Sequence, residues 1–421
     1  MIIELVNTGT ELMLGRVLNT HQQWLCRQLA DSGYVVSRQV AVPDTGAAIE
    51  AAVSEALARA DLVLTTGGLG PTSDDITREL IASLLGRQLR ENRQVLDHIS
   101  QFFEVRQRRM PERTRVQAMV PEGALVLPNP HGTAPGLAME VRPNPFRPAS
   151  ASWLVMLPGP PRELRPMFQD SVMPLLRRVL PTGSAFVCRT LRATGIGESL
   201  VEERVSVPLQ PLVEDGLELG YCARPGQVDV RLAAQTDDSQ ALVNRAEAIV
   251  RKQLGQYVYS QDEEEIEATV IKLLTKQNTT IAVAESCTGG CIAHRLTNVP
   301  GASAVFHAGF VTYSNAAKEK FLKVRSETLK SHGAVSEAVA KEMAEGARNA
   351  AGAHYALSVT GIAGPSGGTD TKPVGTVFIG LADSSGCVVE RNFNPFDRET
   401  FKQVTSQQAL DLLRRKLLTA A

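Results

Sequence analysis

The chain has 421 residues, 43% hydrophobic and 21% charged, the profile of a globular protein with two to three domains rather than one core. A formal net charge of −1 gives no long-range pull toward nucleic acid or membrane, and the one basic run, "RQRRMPERTR" (106–115), reads first as a solvated helix end or loop. Six scattered cysteines without a C-x-x-C pair, seven histidines without ligand spacing, a start unlike a signal peptide and no apolar run of about 20 residues exclude a disulfide framework, a zinc site and a membrane helix, so a reduced cytoplasmic protein is expected.

In chain order, "IIELVNTG" reads as a strand and "NTHQQWLCRQLADSG" as a helix ending at Gly33. "YVVSRQVAV" is a strand, "TGAAIEAAVSEALARA" a helix, and "DLVLTTGG" a strand running into glycines. Strand–helix alternation of this kind predicts an α/β domain with a parallel sheet. "RPNPFRPAS" (142–150) is an exposed turn, and "ASWLVMLPGPP" (151–161) a later strand ending in prolines. After about residue 172 the pattern shifts to a small α+β module, which defines expected domains 1–171, 172–259 and 260–421. Glu263 to Glu265 open the last domain, where acidic side chains suit a helix N-terminus. "TTIAVAES", "YALSVTGIAG" and "GTVFIGLA" follow as strands, "SEAVAKEMAEGARNA" as an alanine-rich helix, and "RETFKQVTSQQALDLLRRKLL" as a closing amphipathic helix.

Two constellations carry chemistry. In "LVLTTGGLGPTSDDITRE" (62–79) a strand meets a Gly67-Gly68-x-Gly70 turn and a helix opening, where backbone N–H groups can hold an anion. Asp74 and Asp75 read either as helix caps or as holders of a divalent cation that would bridge to a pyrophosphate. In "TTIAVAESCTGGCIAHRLTNV" a buried strand, a sharp turn and a helix beginning near Gly289 put Ser286 beside exposed helix N–H groups. A serine there needs a base. No histidine is an obvious one, since His294 sits further along the helix. Tyr313 and Lys318 in "VTYSNAAKEKFL" can deprotonate or orient a hydroxyl if the lysine is buried, although such residues carry little meaning alone. Thr360 and Gly361 lie at a strand end, a usual place for ligand contacts. Arg398 opens the closing helix, as a phosphate partner or a surface charge.

"GTELMLG" (9–15), "TTGGLGPTSDD" (65–75), "PNPHGTAPGL" (128–137) and "LPGPPREL" (157–164) resemble the N-terminal half of the CinA family of competence/damage-inducible proteins. That half is similar to the molybdopterin-binding MogA/MoaB fold. The resemblance implies a nucleotide pocket at Thr66, Gly67 and Gly68, with Glu11, Asp44, Asp74 and Asp75 around a divalent metal of the Mg, Mn or Co type, and an ADP-ribose pyrophosphatase activity. "TLRATGIGESLVEERV" (190–205) and "GYCARPGQVDVRL" (220–232) resemble the family's KH-like module. "GIGE" is not a GXXG loop and the segment is not basic, so a structural or dimerisation role is expected rather than nucleic-acid binding. "AESCTGG", "VPGASAVF", "YSNAAK", "HGAVSE", "VTGIAGP" and "KPVGTV" resemble the family's C-terminal domain, which is similar to nicotinamide mononucleotide (NMN) deamidases. This implies hydrolysis of NMN to nicotinic acid mononucleotide and ammonia without a cofactor. In that reading Ser286 is the nucleophile, activated by Tyr313 and Lys318. Thr288, Gly289 and Gly290 provide oxyanion or phosphate donors, Thr360 and Gly361 line the site, and Arg398 holds the phosphate. "FDR" stands where the family often has "GDR". The expected partners are NMN and ADP-ribose, and a second copy of the chain in a homodimer, with no membrane. A non-enzymatic nucleotide-binding protein linked to competence or DNA damage is the alternative, and intact Ser286, Tyr313 and Lys318 speak against it.

Overall fold

The computed structural model describes residues 1–181, 186–262 and 264–419; Glu263, the first of the three expected capping acids, lies outside the described residues. Contacts divide the chain into two units, Met1–Val187 with Gln235–Asp237, and Cys188–Ala234 with the chain from Asp238 on. Among the described residues no helix is long and apolar enough to cross a membrane.

The first unit is an α/β domain. Strands β1 (Ile3–Thr8), β2 (Arg38–Val42) and β3 (Leu62–Thr66) alternate with helices α1 (Thr20–Ala30) and α2 (Gly46–Leu57), and α3 (Thr77–Leu84) follows. With β4 (Leu125–Leu127), β5 (Gly136–Val141) and β6 (Ser152–Leu157) they form one sheet in the order β2-β1-β3-β6-β5-β4. The four strands β2, β1, β3 and β6 pair in parallel, as the alternation predicts. β5 and β4 add an antiparallel edge. The connection between β5 and β6 contains no helix, and without a crossover the chain can only turn back antiparallel. β1 and β3 are buried along their whole length, as expected of strands covered on both faces. Met173, Leu175 and Leu176, beyond residue 172, pack in the core that also holds Ile3, Leu5 and Leu64.

The second unit begins with a four-stranded antiparallel sheet. Strand β7 (Val187–Thr194), helix α4 (Glu198–Glu214), the hairpin β8 (Leu217–Arg224) and β9 (Gln227–Ala234), helix α5 (Ser239–Leu254) and strand β10 (Val258–Gln261) give the order β8-β9-β7-β10. Helix α6 (Ile266–Lys276) then leads to β11 (Ile281–Glu285), α7 (Cys291–Thr297), β12 (Phe306–Val311), α8 (Asn315–Leu322), α9 (Glu337–Ala351), β13 (Tyr355–Gly361), β14 (Thr376–Asp383), β15 (Gly386–Phe393) and α10 (Arg398–Thr419). The second sheet runs β12-β11-β13-β14-β15, parallel on both sides of β11 and antiparallel from β14 outward. α9 is the expected alanine-rich helix, and at its start the Ser336 hydroxyl accepts the Val339 N–H at 3.3 Å, which satisfies one orphan donor of the first turn.

α10 departs from its expected amphipathic pattern. Phe401, Leu410, Leu413 and Leu417 are fully buried, but so are Thr405, Ser406 and Gln407, and Asp411 and Arg414 are nearly so. Its polar face is covered by other parts of the unit instead of water. The Arg295 guanidinium donates to Ser406 Oγ and Gln407 Oε1, and Arg414 donates to the Gln256 carbonyl. A helix wrapped on both sides has no solvent face for a periodic pattern to reveal.

Candidate active site

β11 ends on Glu285, and the next five residues form a turn before α7. Gly289 and Gly290 both have positive φ, 62° and 98°, a conformation that costs a residue with a side chain energy and glycine little. α7 therefore starts at Cys291, two residues later than the sequence suggests. The turn is anchored by a group that the sequence reading passed over. The fully buried Glu285 carboxylate accepts the N–H groups of Gly290 (3.0 Å), Ile292 (3.1 Å) and Ala293 (2.8 Å). It satisfies the orphan donors of the helix and sits where an anion would.

This corrects one expectation. The Gly290 N–H is held by Glu285 and the Gly289 N–H donates to the Ser286 carbonyl at 3.2 Å, so neither amide is free for an oxyanion or a phosphate. Thr288 is completely buried, its hydroxyl has no hydrogen-bond partner among the described residues, and it is not part of the cavity lining.

Ser286 and Lys318 are brought together across 32 residues. α8 places the lysine, its start capped by Ser314 Oγ accepting the Ala317 N–H, and the Lys318 Nζ donates to Ser286 Oγ at 3.0 Å and to the Thr312 carbonyl at 2.8 Å. Lys318 is 1% exposed and has no carboxylate partner among the described residues. Desolvation pushes its ammonium below the ordinary 10.5, because burial penalises the charged form. Cys287, next to the serine, goes the other way: burial pushes its thiol up to about 12, so it stays protonated and unreactive.

A cavity of about 220 Å³ opens onto the pair, lined among others by Tyr313, Thr360, Gly361 and Arg398. Tyr313 is not on the Ser286–Lys318 contact; its hydroxyl accepts from Arg398 Nη2 at 2.7 Å, and Arg398 Nη1 donates to the Gly364 carbonyl at 2.9 Å. The expected activating role of Tyr313 thus becomes one of holding the arginine. Thr360 spends its hydroxyl on the Ala334 carbonyl at 2.7 Å and forms wall, with Gly361. The lining also includes Asn315, Ala334 and Val335, which lie within "YSNAAK" and "HGAVSE", so the motifs that mark the domain contained these residues without their roles.

The N-terminal turn is built differently. Thr66 is buried, its hydroxyl donating to Asn7 Oδ1 at 3.0 Å, and the Gly67 N–H donates to the Leu157 carbonyl at 3.0 Å. A Cβ on Gly68 would come within 1.9 Å of the Thr77 hydroxyl, so this glycine is needed for close packing. Asp44 accepts the Thr10 N–H at 2.8 Å and Asp75 the Thr72 N–H at 2.9 Å, while Asp74 is held below its ordinary value by the Thr72 hydroxyl. The carboxyl of Glu11 lies against Gly9. Among the described residues no group of three or more His, Cys, Asp or Glu side chains is placed to hold a metal ion. Glu11, Asp44, Asp74 and Asp75 are thus not gathered into one ligand set, and Asp75 closes the turn at Thr72 without capping α3, whose start carries no side-chain cap.

Residues 4–178 match the family described as "probable molybdopterin binding domain", residues 188–260 the "damage-inducible protein CinA KH domain", and residues 263–417 the "CinA C-terminal domain". A CinA-like protein of Akkermansia muciniphila is 46% identical over 411 residues, 97% of this chain and 95% of that one. A CinA-like protein of Kosmotoga olearia is 41% identical and covers 99% of both. The crystal structure of the competence/damage inducible protein CihA from Agrobacterium tumefaciens is 40% identical, covering 36% of this chain and 93% of that one, with a TM-score of 0.35.

Proposed function

The chain belongs to the CinA family, and from that premise we propose that its C-terminal domain is an amidohydrolase that converts NMN to nicotinic acid mononucleotide and ammonia. The observation that carries this reading is the 3.0 Å contact of Lys318 Nζ with Ser286 Oγ, inside a cavity and with the lysine nearly stripped of water. A serine hydroxyl is a weak nucleophile until a base takes its proton, and a lysine whose ammonium form is disfavoured by burial becomes such a base once it has lost its own proton.

The neutral Nζ accepts the Ser286 proton as Oγ attacks the carboxamide carbon, forming the C–O bond of a tetrahedral intermediate. Its collapse breaks the C–N bond, and the Lys318 ammonium returns the proton to the departing nitrogen, which leaves as ammonia. Water, deprotonated by the same lysine, then cleaves the acyl ester and restores Ser286. The Thr312 carbonyl fixes Nζ throughout, and Tyr313 and Gly364 fix the Arg398 guanidinium at the cavity mouth, where its remaining N–H donors suit a phosphate.

Ser286→Ala should abolish ammonia release from NMN while NMN still binds. Turnover that survives the substitution would remove the serine as nucleophile, and binding without turnover in the unaltered protein would favour the non-enzymatic alternative. Adding ADP-ribose with and without a divalent metal to the same assay, and following AMP, tests the activity that resemblance implies for the N-terminal domain.

A further inference from the structure

The catalytic cavity is too small for a whole nucleotide. Ligand-sized sites span about 300–1,000 Å³, against about 220 Å³ here. A second cavity of about 420 Å³ adjoins it and shares one residue with it, Arg398; Cys291, Glu399, Lys402 and Gln403 complete its lining. The ribose phosphate of a nucleotide whose ring lies over Ser286 can therefore run past Arg398 into this outer space.

Arg398 and Lys402 stand one turn apart on α10, on one face, with about 5–6 Å between their Cβ atoms. Lys402 Nζ lies 4.0 Å from the position a Cβ on Gly289 would take, so it stands over the turn that follows Ser286. The residue is half-buried, yet among the described residues it makes no hydrogen bond and no ion pair. This sets it apart from Lys416 and Lys272, which are paired with Asp383 and Glu264. An ammonium in this position, with no carboxylate spent on it, keeps its charge and its donors for an incoming anion. Glu399 shares the cavity rim but is exposed, does not reach Lys402, and can keep its charge in solvent, where it is screened.

We propose that Lys402 binds the 5′-phosphate of the substrate together with Arg398, and that the outer cavity is the subsite by which the site selects a mononucleotide over its phosphate-free nucleoside. The proposal rests on the reading that the Ser286 cavity hydrolyses NMN. Arg398 is pinned by Tyr313 and Gly364 and offers a fixed fork; Lys402, a compact charge on a flexible stem, supplies the second positive charge that a phosphate near −2 calls for.

The test compares ammonia release from NMN and from nicotinamide riboside. Lys402→Ala should lower the ratio of kcat/KM for NMN over the riboside by about 10- to 100-fold, through KM, the loss expected for one charged hydrogen bond. Lys402→Arg should restore most of the ratio. An unchanged ratio overturns the proposal, as does a KM for NMN that does not move. A second measurement needs no turnover: Cys291 lines the outer cavity, so ribose 5-phosphate should slow its alkylation, read by peptide mass spectrometry, in the unaltered protein and not in Lys402→Ala. Equal protection in both proteins, or none in either, overturns the subsite. If the unaltered protein releases no ammonia from NMN, the amidohydrolase reading fails by itself and the alkylation result still decides the phosphate site.

Discussion

A lysine buried beside a serine titrates unlike one in water. Burial holds Lys318 below 10.5, so between its folded value and 10.5 the unfolded chain binds more protons than the folded one. Stability from this residue is therefore complete above 10.5 and is lost as pH falls through the folded value. The same titration should set the rate, because only the neutral amine is a base. The kcat/KM profile should rise with pH on a limb whose midpoint lies below 10.5, and Lys318→Met should lower kcat by about 10²–10⁴-fold and remove that limb. A profile unchanged in the variant would assign the limb to another group. Both members of the pair were legible in the sequence as residue types in recognisable motifs. Their contact was not, since it depends on where α8 places a side chain 32 positions away, and the burial that lowers the lysine comes only with packing. Tyr313 shows the converse: its motif pointed to the site, but its hydroxyl went to Arg398.

At the level of elements, the serine is presented by a strand, a turn and a helix start, and the fixed point of that unit is Glu285. Strand–helix alternation and the two glycines made the turn readable from sequence. The occupant of the helix N-terminus was not, because the obvious reading of glycines beside a helix start is an external anion, and here the protein's own carboxylate fills the place. The antiparallel edges of both sheets were hidden for a related reason, since apolar runs do not encode strand direction. Glu285→Ala would leave three N–H groups without their acceptor and should cost about 3 kcal/mol or more, since each buried unsatisfied donor costs about 1–3 kcal/mol. It should also lower kcat by loosening Ser286 against Lys318, while Glu285→Gln, which keeps one acceptor oxygen, should recover part of both losses. Thermal melts and NMN kinetics on the two variants decide it: full activity and an unshifted melt in Glu285→Ala would mean that the turn holds its shape without the carboxylate.

Across the second unit, α10 joins the small antiparallel module to the catalytic sheet. Its first two turns carry Arg398 and Lys402. Further along, Gly226 at the β8–β9 hairpin packs so close to Gln407 that a Cβ there would lie 3.1 Å from it. Near its end Arg414, 2% exposed, pairs with Asp411 at 2.7 Å and donates to the Gln256 carbonyl at 2.6 Å. Composition gave no hint of this arrangement, because buried polar residues on a helix look the same in sequence as solvated ones until something covers them. Removing one partner of a buried pair costs about 3–5 kcal/mol, so Arg414→Ala should strand Asp411 beside Arg415 alone and lower the melting temperature of this unit by roughly 6–12 °C. The chain provides its own control. Its two tryptophans, Trp24 and Trp153, both lie in the first unit, so tryptophan fluorescence follows that unit, whereas residual NMN turnover after heating follows the second. In Arg414→Ala the activity midpoint should fall by this amount and the fluorescence midpoint by much less. If both fall together, α10 does not confine its effect to the second unit; if neither falls, the buried Arg414 pair is not what joins the two parts of it.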